Sequence, residues 1–190
     1  MSREDAEEAF RVILRWIGED PEREGLVDTP RRVVEAYRTY FRGYFEDPTE
    51  HLRTTFAETG GYDDMVLLRN IPFRSHCEHH MAPIVGRAWV GYVPAQRVVG
   101  ISKLARVVDG YSRRLQIQER FTTEIANAIQ SELEPKGVAV FVKAEHHCIS
   151  GRGVQKHGVD LSTSNMIGCF KDDPILRQEF LAMVSADLKP

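Results

Sequence analysis

The sequence predicts an α+β fold, an antiparallel sheet with two helices on one face, preceded by an N-terminal helical segment. The order of patterns carries this expectation: two strand-like stretches, two stretches with helical spacing, then two more strand-like stretches, which places the helices on one face of a largely antiparallel sheet. Length agrees, since 190 residues suit one globular domain with a short appendage. Charge marks the appendage. Residues 1–50 hold eight basic and thirteen acidic side chains, whereas the rest of the chain holds seventeen and fifteen. We therefore expect an N-terminal helical segment and connection over residues 1–60 and a main α+β domain over residues 61–190.

The elements follow in order. Residues 4–18 carry Ala6, Ala9, Phe10, Ile13, Leu14 and Ile17 at helical spacing behind Ser2 as a cap, and Gly18 ends the run. Thr29-Pro30 predicts a second helix start, with Val33, Val34, Tyr37, Tyr40 and Phe41 forming its apolar stripe up to Gly43. Residues 46–64, with Pro48, Gly60 and Gly61, read as a long connection. Strands are expected over Met65 to Ile71 and Ile84 to Val93. Helical spacing returns with Leu104, Val107, Val108 and Tyr111, and again from Ile117 through Phe121, Ile125 and Ile129 to Leu133, ending before Pro135. Val138 to Cys148 and, more weakly, Leu161 to Phe170 alternate as strands, and Ile175 to Val184 closes the chain as a helix after Pro174.

Composition excludes several function classes. A net charge of −3 creates no global field for nucleic acid or an anionic membrane. No run approaches the roughly 18 apolar residues of a bilayer span, and the acidic start Met1-Ser2-Arg3-Glu4-Asp5 does not read as an export signal. The expected location is cytoplasmic. Three cysteines, an odd and sparse set, fit a reducing compartment better than a disulfide framework.

The distribution of histidines is more informative. Five of seven (His76, His79, His80, His146, His147) lie within three residues of Cys77 or Cys148. Cys77-Glu78-His79-His80 sets a thiolate three positions from an imidazole, close enough for one tight turn to bring both onto an ion. In His146-His147-Cys148, strand periodicity would point His146 and Cys148 to one face. Sulfur with imidazole suits zinc, and a Cys, His, Cys set would leave a fourth position for water. From these residues alone a closed structural site is equally compatible, built from Cys77, one of His79 and His80, His146 and Cys148. Cys169, in an apolar run, reads as a small buried hydrophobe.

Two further features concern ligands. Ser102-Lys103-Leu104-Ala105-Arg106 opens a helix with two cations where the dipole disfavours them, which fits either a phosphate cradle or a solvated basic face. Glu119, after Gln118, either complements the next helix's N-terminus or accepts paired hydrogen bonds from adjacent N–H groups of the kind guanine presents. Arg152, in a glycine-flanked loop past Cys148, is an ordinary loop arginine or a further phosphate contact.

Taken together, Cys77-Glu78-His79-His80, Gly100-Ile101-Ser102-Lys103-Leu104-Ala105-Arg106, Gln116-Ile117-Gln118-Glu119-Arg120 and His146-His147-Cys148, in this order, resemble GTP cyclohydrolase I. Glu24-Gly25-Leu26 and Thr29-Pro30-Arg31-Arg32-Val33 are similar to that family's N-terminal segment. The resemblance implies the tunnelling fold (T-fold), with sheets joined into a barrel, a homodecamer of two pentamers, and active sites between subunits. It implies Cys77, His80 and Cys148 as Zn2+ ligands and His79, Ser102 and His146 as catalytic groups. Lys103, Arg106 and Arg152 would then bind the triphosphate of GTP, and Gln118 and Glu119 the guanine. The implied reaction converts GTP to 7,8-dihydroneopterin triphosphate and formate, at the start of pterin and tetrahydrofolate biosynthesis. His76, His147 and Phe121 depart from the family's commoner residues without removing a matched functional group.

Overall fold

The computed structural model describes residues 1–57 and 61–188 of the chain. Two compact units divide it, Met1–Arg42 and Gly43–Pro190. The division falls earlier than the expected boundary at residue 60, which itself, with Gly60 of the connection, lies outside the described residues. Residues 43–57 belong to the second unit because they contribute to its core: Leu52 is fully buried, and Pro48 packs so closely on Gly110 that a side chain there would clash.

In the first unit, α1 (Arg3–Trp16) begins with a reciprocal cap, in which the Asp5 amide donates to Ser2 Oγ and the Ser2 amide to Asp5 Oδ2. α2 (Thr29–Tyr40) has Pro30 in its first turn; Thr29 is its first residue, and Asp28 rather than Thr29 precedes it as the cap. Phe10 meets Tyr37 edge to face, with ring centroids 5.3 Å apart.

The second unit is built on strands β1 (Thr55–Phe56), β2 (Val66–Cys77), β3 (Pro83–Val93), β4 (Val98–Val99), β5 (Leu115–Gln116), β6 (Gly137–His146) and β7 (Asp160–Gly168). Its helices are α3 (Ile101–Ser112), α4 (Gln118–Leu133), α5 (His147–Ser150), α6 (Cys169–Asp172) and α7 (Pro174–Asp187). The main sheet has the order β5-β2-β3-β6-β7, antiparallel except where two-residue β5 runs parallel to the end of β2; β1 pairs separately with β4. The expected α+β architecture is what forms. No helix among the described residues is long and apolar enough to cross a membrane.

Alternation fixes the two sheet faces. Ile84, Ala88, Val90 and Tyr92 of β3 and Val138, Val140, Val142 and Ala144 of β6 face α3 and α4, whose Leu104, Val107, Val108, Phe121, Ile125 and Ile129 complete a dry core. β2 runs six residues beyond the expected stop at Ile71. A bulge between Leu68 and Ile71, with Asn70 at φ +60°, shifts the register and returns Ile71, Phe73, Ser75 and Cys77 to the core face. Pro72 is tolerated because β5 pairs only with His76 and Cys77, so β2 is an edge at that point.

On the opposite face, α7 covers the Val93 end, where Phe180 and Val184 pack with Trp89, Val93 and Phe170. The remainder carries Arg74, Arg87, Lys143, Glu145 and Asp160 around a cleft of about 830 Å³. The buried indole Nε1 of Trp89 donates to Asp187 Oδ2 at 2.8 Å, and Arg69 braces the same carboxylate at 3.1 Å. Asp187→Ala leaves that N–H unpaired, so urea unfolding at fixed protein concentration, followed by tryptophan fluorescence, is expected to show a loss of about 1–3 kcal/mol.

Candidate metal centre

The start of β3 is flanked on both sides by the segments that bear cysteine and histidine. Pro83 pairs with His76 of β2, and Ile84 with His146 of β6. Beyond Cys77 the chain folds back in a tight turn, in which the Met81 amide donates to Cys77 O at 2.7 Å and the Cys77 amide to Ala82 O at 2.8 Å; Met81 takes φ +52° to close it. Beyond His146 the strand does not continue. The chain coils into α5, closed by the Gly151 amide on His147 O. The expected strand over Val138 to Cys148 is therefore two residues too long, and a helical turn, not strand periodicity, delivers Cys148.

These two turns bring one ligand atom each from Cys77, His80 and Cys148 within 4.8 Å of one another. Cys77 Sγ lies 3.8 Å from His80 Nδ1. A tetrahedral zinc site has sulfur–nitrogen edges of roughly 3.6 Å, given its bond lengths, so the group fits such an ion. Burial and the Cys77 sulfur beside it push the Cys148 thiol up, and a bound cation supplies the charge that reverses this. His79 also places Nδ1 3.8 Å from Cys77 Sγ, but its side chain is 64% exposed and it falls outside the three-donor group.

The turn is braced from α4. Arg120 donates to Glu78 Oε2 at 2.6 Å, to Gln116 Oε1 at 3.1 Å and to Leu115 O at 3.0 Å, tying the residue between Cys77 and His79 to β5 and the helix. Sequence reasoning passed over Arg120, although it ends the Gln116-Ile117-Gln118-Glu119-Arg120 motif.

His146 is engaged elsewhere: its Nε2 lies 2.8 Å from Gln118 Oε1. The orientation of the Gln118 amide follows from its other neighbours. Its nitrogen faces the carbonyls of Leu161 (2.9 Å) and Val142 (3.2 Å), which only accept, so Nε2 must point there and Oε1 toward the histidine. His146 Nε2 therefore carries the hydrogen, and Nδ1 is the nitrogen left to exchange a proton. Burial lowers the His146 pKa, opposed by the Glu119 carboxylate. Gln118 itself is buried, its amide nitrogen engaged by β6 and β7 and its oxygen by His146. Glu119 and Arg152 are exposed at the same end of the sheet, Glu119 in the first turn of α4 and Arg152 just past α5.

Ser102 and Lys103 are toward the other end, in the first turn of α3, and Arg106 is a turn further along that helix. Val98–Val99 follows β3 after a short loop, and the Val99 amide donates to the hydroxyl of Tyr92, one residue from the end of β3. From there α3 runs back along the sheet, and β5 just beyond it pairs with His76 and Cys77. The start of α3 is thus set apart from the metal end of the sheet by the length of that helix, 12 residues or about 18 Å at 1.5 Å per residue. Gly100 gives α3 no side-chain cap, Ser102 and Arg106 are exposed, and Ile101 is 66% exposed.

A three-donor Cys–His–Cys group beside an unligated histidine and a carboxylate is the constellation of a metal-dependent hydrolytic enzyme. The comparisons give the family. The GTP cyclohydrolase I model matches residues 6–185. The chain is 53% identical over 182 residues to GTP cyclohydrolase 1 of Hyphomonas neptunium, covering 96% of this chain and 88% of that one. The chain belongs to the GTP cyclohydrolase I family and is an enzyme of it. Among solved structures, the archaeosine synthase QueF-Like in the apo form aligns with 55% of this chain and 94% of its own, at a TM-score of 0.47 and 21% identity.

Arg120→Ala frees Glu78 and loosens the turn that presents Cys77 and His80. Competition titration of zinc against a chromophoric chelator is expected to show affinity reduced by about 10- to 100-fold, the range for removing an outer support of a metal ligand; unchanged affinity would show that the brace is dispensable.

Proposed function

We propose that this enzyme converts GTP to 7,8-dihydroneopterin triphosphate and formate, the entry to pterin and tetrahydrofolate biosynthesis, with zinc as the ion held by Cys77, His80 and Cys148. The observation that carries the proposal is the three-donor group itself, drawn from two segments some seventy residues apart, with His146, two residues before Cys148, held in one tautomer. Zinc held there would supply a hydrolytic nucleophile at neutral pH.

The protein's own groups divide the remaining work. His146 Nδ1 moves the proton at purine N7 as water adds at C8 and the imidazole ring opens, while its Nε2–H stays on Gln118. A second hydrolysis releases C8 as formate, after which the ribose rearranges and closes onto the freed amine. His79, exposed on the metal turn, and Ser102 serve these later proton transfers and the sugar. Glu119 accepts hydrogen bonds from guanine N1–H and the exocyclic amine. Lys103, Arg106 and Arg152 hold the triphosphate and so fix the base relative to the metal.

The separation of Ser102, Lys103 and Arg106 from the metal group supports a site completed by a second copy of the chain. Two sheet edges favour such assembly. β7 is unpaired on its outer side among the described residues, and β2 is covered there only at His76 and Cys77. Joined edge to edge, copies of this sheet would close the barrel of the tunnelling fold, consistent with a decamer of two pentamers in the cytoplasm.

Incubation of zinc-loaded protein with GTP is expected to yield formate and a pterin chromophore. A chelator should abolish both and added zinc restore them; recovery of only unchanged GTP or GDP would defeat the proposal. A mixed assembly tests the shared site. Lys103→Ala and His146→Ala proteins, each inactive alone, are expected to regain turnover when co-expressed and co-purified, because some sites then draw both native residues from different copies. No regain would place both residues in one copy's site.

A further inference from the structure

We propose that Thr163, on the outermost strand of the sheet, is a positioning residue for His146 that acts through Gln118. The proposal rests on the proton-transfer role given to His146 above and assigns its support to a side chain that touches neither the metal group nor that histidine.

The geometry is a closed circuit of hydrogen bonds. Gln118 Nε2 lies 3.1 Å from Thr163 Oγ1, Thr163 Oγ1 lies 2.6 Å from Thr122 Oγ1, and Thr122 Oγ1 lies 2.7 Å from the backbone carbonyl of Gln118. The direction of each bond is determined. A carbonyl only accepts, so the single hydroxyl proton of Thr122 goes to Gln118 O. Thr163 must then donate its own proton to Thr122, which leaves its oxygen free to accept from Gln118 Nε2, whose two hydrogens are shared among Thr163 Oγ1 and the carbonyls of Leu161 and Val142. The circuit thus holds both ends of one residue, the backbone of Gln118 through Thr122 and its side chain through Thr163.

What remains of the Gln118 amide is Oε1, and it holds His146 Nε2 at 2.8 Å. Reversing the amide would set its nitrogen against an N–H and its oxygen against two carbonyls, so the arrangement has one stable sense. Thr163 also links separate elements: it is paired with Val142 across the β6–β7 ladder, four residues before His146 on the same strand, while Gln118 and Thr122 are in α4. Removing its hydroxyl leaves Thr122 without the bond from β7 and the Gln118 side chain with one fewer anchor, so the carboxamide gains freedom to swing and the His146 ring with it.

Thr163→Val removes the hydroxyl and keeps the branched shape. The test is steady-state GTP turnover by the zinc-loaded assembly, with native mass and zinc content measured in parallel. Thr163→Val is expected to lower kcat by about 10- to 100-fold, the scale of small misplacements of a catalytic group, with KM for GTP, zinc content and native mass unchanged. Thr163→Ser is expected to restore kcat. In a Gln118→Ala background Thr163→Val should add nothing, since the intermediary is gone. An unchanged kcat overturns the proposal, as does a loss that serine fails to rescue, an added loss in the Gln118→Ala background, or a fall in zinc content together with kcat, each of which marks a structural role or none. Should Thr163→Val fail to assemble, Thr122→Val breaks the same circuit from the helix side and carries the same expectations. A wild-type protein that releases no formate from GTP defeats the proposed function itself, an outcome distinct from an active wild type with an indifferent Thr163.

Discussion

The site depends on one register. Because β3 is central and antiparallel to both neighbours, its first residues, Pro83 and Ile84, fix the end of β2 on one side and the end of β6 on the other. Those neighbours are some 9.6 Å apart across β3, given the usual spacing of about 4.8 Å between strands. Side chains directly on the two strand ends would be too distant to share an ion. The tight turn after Cys77 and the helical turn at α5 close that gap, so Cys77, His80 and Cys148 meet over the end of the sheet. A one-residue slip in either ladder would carry a cysteine away and turn a core-facing strand outward, so the dry core beneath α3 and α4 enforces the register that the metal group needs.

Polar groups near that group are arranged to leave little freedom. Arg120 spends its guanidinium on Glu78, Gln116 and Leu115, and Gln118 spends its amide on β6, β7 and His146. Both residues are in the first turn of α4, which starts two residues after β5 pairs with the end of β2. That short parallel strand therefore has an importance beyond its two residues: it sets where α4 begins, and with it the supports of the metal turn and of the histidine.

Much of this was legible in the sequence. The helices announced themselves by spacing, and Ser2 by its cap, because these are local properties. Cys77, His80 and Cys148 were visible as a cluster of donor types, although spacing alone left His79 and a closed site equally open. The errors have specific causes. The bulge near Asn70 breaks strand alternation, so residues 72–77 lacked a readable period and β2 was ended at Ile71. At His147 alternation continued in the sequence while the chain had already begun to coil. For Gln118 the resemblance implied a guanine contact; where its amide points is decided by the carbonyls of Val142 and Leu161, which only tertiary packing brings to it.

The placement of charge along the sheet carries the strongest argument for assembly. Cations at the start of α3 oppose the helix dipole, a small cost that an anion at the same position would relieve. Glu119 and the metal donors are at the opposite end of the sheet from the start of α3. Under the proposed function, a phosphate site on α3 and a base site on α4 would be completed by different copies of the chain. In such an arrangement an isolated chain would hold metal yet lack the contacts that orient GTP, so catalysis would depend on the oligomer as firmly as on the ligands themselves.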